Sequence, residues 1–141
     1  MSEAFLLLQS SGMALAIPLA RVQRVLDVEE TFVSEVDGVR GVMLEGQFFP
    51  GLTLKSSLSI QLAQQGCILL KTQQGRSQGA FFFEELRGIW RGETQGFKSR
   101  FRSMTQGVVD GGIITPNGFC AVPDLDQLSV LRMACHPNLM N

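Results

Sequence analysis

Short apolar runs separated by polar or glycine-rich turns recur along the chain, and they predict β-strands. The chain opens with the runs "AFLLLQ" and "MALAIPL" on either side of a polar turn at residues 10–12. This pattern predicts a hairpin with strands at about 4–9 and 13–17. The next segment, "ARVQRVLDV", carries evenly spaced apolar residues and predicts a strand preceded by a helical turn. The protein therefore begins in β structure.

The middle of the chain repeats the hairpin theme. Residues 29–38 are acidic and end near a glycine, which predicts a loop. After this loop, "GVMLEGQFFPGLTL" predicts two strands at about 39–44 and 47–54, joined by a turn at Glu45 and Gly46. A further pair of strands follows in "GCILLKT" and "SQGAFFFEELRGIW", and the second strand of this pair is long.

The last third of the chain combines a hairpin with a helix. Asn117 and Gly118 stand between two apolar runs, and they form the strongest short-range hairpin signal because both residues accept positive φ angles. Asp124 is a suitable N-cap, and it is followed by leucines at helical spacing, namely Leu125, Leu128 and Leu131. The spacing predicts a short C-terminal helix over about 124–134.

These elements add up to about nine or ten short strands and little helix. With 141 residues the chain has the usual size of one domain, so residues 1–141 are predicted to fold as a single unit. Apolar side chains such as Phe81–Phe83 and Trp90 are predicted to fill its core. A closed or nearly closed all-β barrel arrangement follows, because closure removes exposed strand edges.

Composition narrows the classes of partner. Hydrophobic residues make up 45% of the chain and charged residues 18%, which is typical of a folded domain. Twelve basic and thirteen acidic side chains leave a net charge of -1, so nucleic acid is not a predicted partner. No run reaches the ~20 apolar residues that a membrane helix needs, so no direct membrane insertion is predicted.

The cysteines and the N-terminal segment predict a cytoplasmic protein. Cys67, Cys120 and Cys135 are scattered, and they form neither a CxxC pair nor a cluster with histidine. This spacing favours reduced thiols and no metal site. The N-terminal segment has Glu3 where a signal peptide has a cation, and "QSSG" interrupts its apolar run, which argues against secretion.

Candidates for catalysis are few. Cys135 and His136 are adjacent, but neighbouring side chains on a helix or strand point apart and do not readily share a hydrogen bond. Asp124 and Asp126 suggest a metal ligand pair, yet acidic residues at a helix start are explained by capping and the helix dipole. The sequence therefore predicts no enzyme activity and no cofactor, and a catalytic thiol remains a disfavoured alternative.

Four longer segments follow one another in an informative order. They are "ALAIPLARVQRVL", "RGVMLEGQFFPGLTLKSSL", "CILLKTQQGRSQGAFFFEELRGIW" and "GVVDGGIITPNGFCAVPDLDQLSV". Together they resemble the CheW-like family, the adaptor domains that couple bacterial chemoreceptors to the histidine kinase CheA, over roughly residues 4–131. The resemblance implies two intertwined five-stranded SH3-like β-barrels and a protein without catalytic chemistry.

The chain also departs from the family pattern. Glu45 stands in "MLEG" where the resemblance implies Asn-Leu-Arg-Gly, so an acidic side chain replaces an arginine that helps to hold a partner. Glu84 and Pro123 each stand where an aspartate is expected, and Pro123 also removes a backbone donor. A proline expected before the "GV" strand is missing. These changes are compatible with the fold, but they concern the surface that meets the partner.

The resemblance implies partner contacts at eight positions, which are Val22, Arg24, Gly41, Glu45, Gly46, Cys67, Ile68 and Gly79. On pattern alone, Val22, Cys67 and Ile68 are equally ordinary residues of a barrel core. Glu45 differs from them, because a carboxylate is rarely buried unless it is paired. It is predicted at a turn or facing solvent, either as a solvated hairpin tip or as a partner contact.

A basic stripe is a further candidate contact. In "GFKSRFR" the charged residues alternate with other residues, and this period of two places Lys98, Arg100 and Arg102 on one face of an extended segment. Such a stripe suits an acidic partner helix or phosphate groups. The alternative is a strand face that is simply solvated.

We therefore expect a cytoplasmic, non-enzymatic adaptor in a chemotaxis or surface-motility pathway. It would bridge the cytoplasmic tip of a chemoreceptor and the regulatory, CheW-like domain of a histidine kinase through separate faces. One alternative is a diverged CheW-like scaffold whose partner is not a kinase. Another is an SH3-like barrel that binds a peptide or a small apolar ligand between the barrels.

Overall fold

Strands form nearly all of the regular structure in the part of the protein that the structure describes. The computed structural model describes residues 2–27, 33–54, 65–96 and 109–132. Two three-residue 3-10 helices, Leu19–Arg21 and Leu125–Gln127, lie within these ranges. The strands in the same ranges are β1 (Glu3–Ser10), β2 (Met13–Pro18), β3 (Val22–Asp27), β4 (Val33–Val36), β5 (Val39–Leu44), β6 (Gln47–Thr53), β7 (Gly66–Lys71), β8 (Ser77–Phe83), β9 (Glu85–Gly92), β10 (Gln95–Gly96), β11 (Val109–Thr115), β12 (Gly118–Pro123) and β13 (Ser129–Val130).

The thirteen described strands form two sheets, and the chain passes from one to the other and back. The first sheet has the order β10-β11-β12-β2-β1-β9, and the second has the order β3-β7-β8-β6-β5-β4 with β13 paired to β6. The sheets are intertwined, because β1 and β2 precede strands β3 to β8 of the second sheet in sequence, β9 to β12 follow these strands, and β13 returns to the second sheet. The predicted all-β fold of two intertwined SH3-like barrels is confirmed.

The sheets hold six and seven strands in the described part of the chain, against the five predicted for each barrel. The excess comes mainly from short strands. Both β10 and β13 have two residues, and β4 has four. Strands this short cannot be predicted from the sequence, because two to four residues are too few to show an alternation of apolar and polar side chains.

The buried apolar side chains of the described residues form three clusters. The inter-sheet core lies between the two sheets and consists of Leu6, Leu8, Leu15, Ile17, Leu52, Leu54, Ile68, Leu70, Phe81, Phe83, Val109, Ala121 and Leu125. The second-sheet core lies on the other face of the second sheet and consists of Val42, Phe49, Cys67, Leu69, Ala80, Phe82 and Leu131. The first-sheet core lies on the other face of the first sheet and consists of Phe5, Leu7, Ala16, Ile113, Cys120 and Val122.

This layering explains the continuous apolar runs in the sequence. Successive side chains of a strand point to opposite faces, so a run is buried throughout only where both faces are covered. In β1, Leu6 and Leu8 enter the inter-sheet core, whereas Phe5 and Leu7 enter the first-sheet core. Strands β7 and β8 divide their side chains between the inter-sheet and second-sheet cores in the same way.

Within the ranges that the structure describes, three hairpins close through two-residue turns with positive φ at both positions. The turns are Ser11–Gly12, Asp37–Gly38 and Glu45–Gly46, with φ of 52° at each first residue and 78° to 80° at each glycine. These angles are those of the type I′ turn, whose twist matches the twist of the flanking strands. The turn predicted at Glu45 and Gly46 is therefore confirmed.

The hairpin predicted at Asn117 and Gly118 is present, but its turn lies one residue earlier. Thr115 pairs with Gly118, so the turn residues are Pro116 and Asn117. The Thr115 hydroxyl accepts a hydrogen bond from the Asn117 N–H at 3.2 Å and donates one to the Gly118 carbonyl at 2.9 Å. Proline suits the first turn position because its φ is already fixed near the required value.

Two strand assignments need correction. The loop predicted at residues 29–38 is wrong over Val33–Val36, which form β4, because Val33 packs against the second-sheet core. The long strand predicted through "SQGAFFFEELRGIW" is two strands, β8 and β9, which enter different sheets. They separate at Glu84, whose N–H donates to the Gln9 carbonyl at 2.8 Å.

The C-terminal helix predicted over about 124–134 is wrong within the described residues. Asp124 does act as an N-cap, because its side chain accepts a hydrogen bond from the Asp126 N–H at 3.1 Å. The turn that it begins, however, is a 3-10 helix that ends at Gln127. Residues 133 and 134 lie outside the described part of the chain.

The chain has an extended conformation after this turn, because its leucines pack into two separate cores. Leu125 lies in the inter-sheet core, whereas Leu131 lies in the second-sheet core. The Leu131 N–H donates to the Gly51 carbonyl at 2.7 Å, and the Arg40 N–H donates to the Leu131 carbonyl at 3.0 Å. These bonds hold the extended segment against both β5 and β6. Leucines spaced three residues apart are therefore compatible with this extended segment as well as with a helix.

Candidate functional site

The eight predicted contact residues divide into a buried and a surface group. The buried group consists of Gly41, Cys67, Ile68 and Gly79, and the surface group consists of Val22, Arg24, Glu45 and Gly46. All eight belong to the second sheet or its turns. The structure therefore brings the candidates onto one sheet, but it does not expose them all.

Cys67 and Ile68 are neighbours in β7 and point to opposite faces. Both side chains are fully buried, Cys67 in the second-sheet core and Ile68 in the inter-sheet core. Burial raises the pKa of the Cys67 thiol to about 12, because a thiolate would lose its solvation there. Neither side chain is available to a partner, and the thiol is not a nucleophile at neutral pH. Both residues are part of the core.

Gly41 and Gly79 lie where strands approach too closely for a side chain. A Cβ at Gly41 would collide with the Phe49 carbonyl oxygen. A Cβ at Gly79 would lie 2.5 Å from the Pro50 carbonyl oxygen, and Gly79 also has a φ of +153°. Both glycines therefore keep β6 in contact with its neighbours β5 and β8. Their role in the fold is structural.

Val22 and Arg24 lie on β3, which is an edge strand of the second sheet. The β3–β7 register shifts between them, so Gln23 is an extra residue on the β3 side. Val22 is half-buried and packs against the inter-sheet core, whereas Arg24 is exposed. Arg24 is therefore the member of this pair that offers a charge to a partner.

Glu45 and Gly46 form an exposed hairpin tip between β5 and β6. The backbone of Glu45 is in the left-handed region with a φ of 52°. Asparagine, aspartate and glycine are the residues that usually occupy this turn position, and other residues cost about 1–2 kcal/mol there. The carboxylate lies at the tip of the hairpin, outside the second-sheet core in which other side chains of β5 and β6 pack.

Two substitutions at Glu45 separate its charge from its backbone. Glu45→Asn should raise the free energy of unfolding by about 1 kcal/mol, because asparagine accepts the left-handed conformation more readily. Glu45→Arg should leave stability nearly unchanged, because arginine is as strained as glutamate at this position. Denaturant unfolding of both variants measures this difference. Destabilisation by both would show that the Glu45 side chain makes a structural contact.

The surface group does not form one compact patch. Strands β7 and β8 lie between β3 and β6. The axes of β3 and β6 are therefore about 15 Å apart at the usual spacing between neighbouring strands. Arg24 and the Glu45 tip are thus two separate exposed charges on the second sheet. The basic stripe of Lys98, Arg100 and Arg102 lies outside the described residues.

Arg21 links three segments of the chain, and sequence reasoning missed it. Its Nε donates to the Lys71 carbonyl at 2.6 Å, and its Nη2 donates to Gln78 Oε1 at 2.9 Å and to Asp126 Oδ1 at 3.1 Å. Gln78 in turn donates to the Leu125 carbonyl at 2.6 Å. This network joins both 3-10 helices to the β7–β8 hairpin. Nothing in the local pattern distinguishes Arg21 from the exposed arginine on β3.

A cavity of about 250 Å³ lies beside this network. Its walls include the side chains of Glu3, Arg21, Asp124 and Asp126. Of these, Arg21 and Asp126 pair with each other, and Asp124 caps the second 3-10 helix. The charged walls do not suit a small apolar ligand, because such a ligand would leave the charges without solvent.

Exposed apolar residues form a second feature that the sequence analysis missed. The largest exposures are at Ile114 with 67%, Ile89 with 62% and Phe119 with 52%. Ile114 and Phe119 face each other across the β11–β12 hairpin, and Ile89 lies on the edge strand β9. Ile114 lies between the buried residues Ile113 and Thr115, which is the ordinary alternation of a strand. Such alternation separates the two faces of a strand, but it does not show which face another layer covers.

The described residues, 2–27, 33–54, 65–96 and 109–132, contain no cluster of metal ligands. No three His, Cys, Asp or Glu side chains in these ranges cluster as metal ligands would. The two cysteines in these ranges, Cys67 and Cys120, are buried. None of the described helices has the length and apolar character needed to cross a membrane.

The two curled sheets and their shared core define a paired SH3-like β-barrel protein. The structure is similar to that of the scaffolding protein TtCheW from Thermoanaerobacter tengcongensis, with a TM-score of 0.66. The likeness covers 89% of this chain and 86% of that chain at 12% sequence identity, which establishes a CheW-like fold. No family model matches the chain, and no curated protein matches it either.

Proposed function

We propose that this protein is a non-enzymatic adaptor that couples chemoreceptors to a CheA-type histidine kinase. The observation that carries the proposal is the fold that it shares, over most of both chains, with a CheW scaffolding protein. The order of four sequence segments supports the same assignment. An adaptor binds its partners through exposed side chains and needs no reactive centre. Among the described residues, Arg24 and Glu45 are exposed charged side chains of this kind.

The proposed contacts follow from the surface group. Arg24 on the β3 edge and Glu45 at its hairpin tip carry opposite charges and lie on separate parts of the second sheet. Each is exposed and able to pair with a complementary charge on a partner without moving the core. Val22 and Gly46 adjoin these two charges. We assign one contact point to the kinase regulatory domain and the other to the receptor tip.

A calorimetric titration tests this proposal. The full chain should bind the regulatory domain of a CheA-type kinase, and separately the helical tip of a chemoreceptor, both from the organism that encodes it. Glu45→Arg should change the affinity for one of the two partners by about tenfold, while the melting temperature is kept. The matched variant Glu35→Arg, at an exposed position of β4, should change neither affinity.

One observation favours a second candidate function. The resemblance implies an arginine where the chain has Glu45, and the structure places this carboxylate on an exposed tip. A reversed charge at a contact point selects a partner with a reversed charge. A diverged scaffold for a partner other than a kinase therefore stands as the alternative. This alternative gains support if neither the kinase domain nor the receptor tip binds. It also requires that a basic partner binds the unmodified protein but does not bind the Glu45→Arg variant.

A further inference from the structure

Strands β2 and β12 leave the first sheet at the same end. They are parallel neighbours, because Ala121 pairs with Leu15 in a parallel register. Each strand is followed by one of the two 3-10 helices, and the chain then enters the second sheet, as β3 after β2 and as β13 after β12. Two connections between the sheets therefore start from neighbouring strands. Arg21 is the last residue of the first 3-10 helix and directly precedes β3.

The Arg21 side chain is largely buried and joins these connections to the second sheet. It is 12% exposed, whereas Asp126, its ion-pair partner on the second 3-10 helix, is 61% exposed. The guanidinium also donates to the Lys71 carbonyl and to Gln78 Oε1 at the two ends of the β7–β8 hairpin. A lysine does not reproduce these contacts, because its ammonium group lacks the planar fork that reaches acceptors on separate segments.

The strand that follows Arg21 changes face at a bulge. Val22 packs against the inter-sheet core, whereas Leu26 packs against the second-sheet core. Residues four apart in a regular strand share a face, so the extra residue Gln23 accounts for the change. Arg24 follows the bulge and lies two residues before Leu26, so it shares the face of Leu26. Migration of the bulge beyond Arg24 would turn this side chain to the opposite face.

The β-ladder alone holds the bulge weakly on its first side. Val22 is the one residue of β3 that pairs with β7 before the bulge, through Leu70. Among the described strands, β3 is also an edge strand, so β7 is its one neighbour in the sheet. The bond of 2.6 Å from Arg21 Nε to the carbonyl of Lys71, the residue after Leu70, continues this attachment to β7. Arg21 therefore fixes the chain directly before the bulge.

We propose that Arg21 is a positioning residue, which holds the bulge at Gln23 in place and thereby keeps Arg24 on the face where it meets a partner. Arg21 acts through Arg24 and not by contact with the partner, because its own side chain is largely buried. The inference rests on the proposed function, because that function assigns a partner contact to Arg24.

The amide resonances of the full chain test the positioning role without any partner. In Arg21→Lys the signals of Gln23 and Arg24 should shift, whereas those of Glu45 and Gly46, in the hairpin tip across the second sheet, should not. Arg76→Lys is the matched control, because Arg76 is an exposed arginine in the turn of the β7–β8 hairpin, and it should leave all four signals in place. Unchanged signals of Gln23 and Arg24 in Arg21→Lys would overturn the proposal.

Calorimetric titration tests the consequence for binding. Arg24→Ala identifies the partner that meets Arg24, as the one whose affinity falls. Arg21→Lys should weaken binding of that partner by about fivefold and leave the other affinity unchanged. In the Arg24→Ala background, Arg21→Lys should weaken binding no further, because the two residues act through one contact and their effects are not additive. A fivefold loss in both backgrounds would show that Arg21 acts independently of Arg24.

A second variant tests the same network with a milder change. Asp126→Asn removes the charge of an exposed side chain but keeps an oxygen that accepts a hydrogen bond. It should shift the amide signals of Gln23 and Arg24 in the same direction as Arg21→Lys, and weaken the same partner by about twofold. Shifts confined to the second 3-10 helix would contradict a link from this network to the bulge.

Failure of the inference and failure of the proposed function give different results. If the unmodified protein binds neither partner, the proposed function is wrong, and the amide signals still decide whether Arg21 holds the bulge. If both partners bind but Arg24→Ala weakens neither, the contact at Arg24 is wrong and the positioning role falls with it. If Arg24→Ala weakens one partner and Arg21→Lys weakens neither, only the inference about Arg21 is wrong.

Discussion

Ile68→Ala should lower the free energy of unfolding by about 4 kcal/mol, because the side chain is completely buried in the inter-sheet core. The substitution removes apolar contacts and leaves a cavity between two sheets that cannot both close around it. A loss of this size is a large part of the stability of an ordinary domain. Denaturant or thermal unfolding followed by circular dichroism measures it.

Val25→Ala is the matched control for this prediction. Val25 lies directly opposite Ile68 in the β3–β7 pair, but it is 41% exposed. Its truncation should cost less than about 1 kcal/mol. The two variants thus compare the stability lost on truncating a buried side chain with that lost on truncating an exposed one at nearly the same place in the sheet. If Ile68→Ala were as stable as Val25→Ala but no longer bound a partner, Ile68 would be a surface contact and its place in the core would be wrong.

Gly79→Ala should destabilise the protein by about 3 kcal/mol. Its φ of +153° is unfavourable for any residue with a Cβ, and the added Cβ would lie 2.5 Å from the Pro50 carbonyl oxygen. Strain and overcrowding then act together, because β6 and β8 cannot separate without opening the core around them. The midpoint of denaturant unfolding at unchanged slope gives the loss.

Gly12→Ala separates the two causes. Gly12 also has a positive φ, of +78°, but a Cβ there would meet no atom within 4 Å. Its substitution should therefore cost only the backbone strain, about 1 kcal/mol. Equal losses for Gly12→Ala and Gly79→Ala would contradict the close approach of β6 and β8 at Gly79.

The strands could be predicted from the sequence because most of them carry a clear signal. Runs such as Phe5–Leu8 are apolar without interruption, and glycine marks the turns between them. The run itself, however, does not say that Leu6 and Leu8 meet the other sheet while Phe5 and Leu7 do not. That division depends on which strands the chain brings together over long distances, and no local pattern encodes it.

The C-terminal segment shows how a correct local signal can lead to the wrong element. Asp124 caps a helical turn as its residue type predicts. The turn stops at Gln127 because Leu131 pairs with Gly51 through its backbone and fills a different core from Leu125. Tertiary pairing therefore outweighs the helical spacing of three leucines.

The candidate site could be predicted only in part. Glu45 was expected at a turn or in solvent because a buried carboxylate is costly, and the structure places it on an exposed tip. For Cys67 and Ile68 the pattern allowed both a core and a contact role, and their burial decides for the core. The exposure of Ile89 on β9 could not be foreseen, because it depends on which part of the first sheet the second sheet covers.

The proposed adaptor function requires that one molecule of this protein joins two partners. It is tested most directly by mixing the full chain with a kinase regulatory domain and a receptor tip, and by measuring the mass of the complex in solution. An adaptor with separate contact faces predicts a complex that contains all three components, with each partner binding as well in the presence of the other as alone. Competition between the two partners for the protein, or binding of neither, would contradict the account.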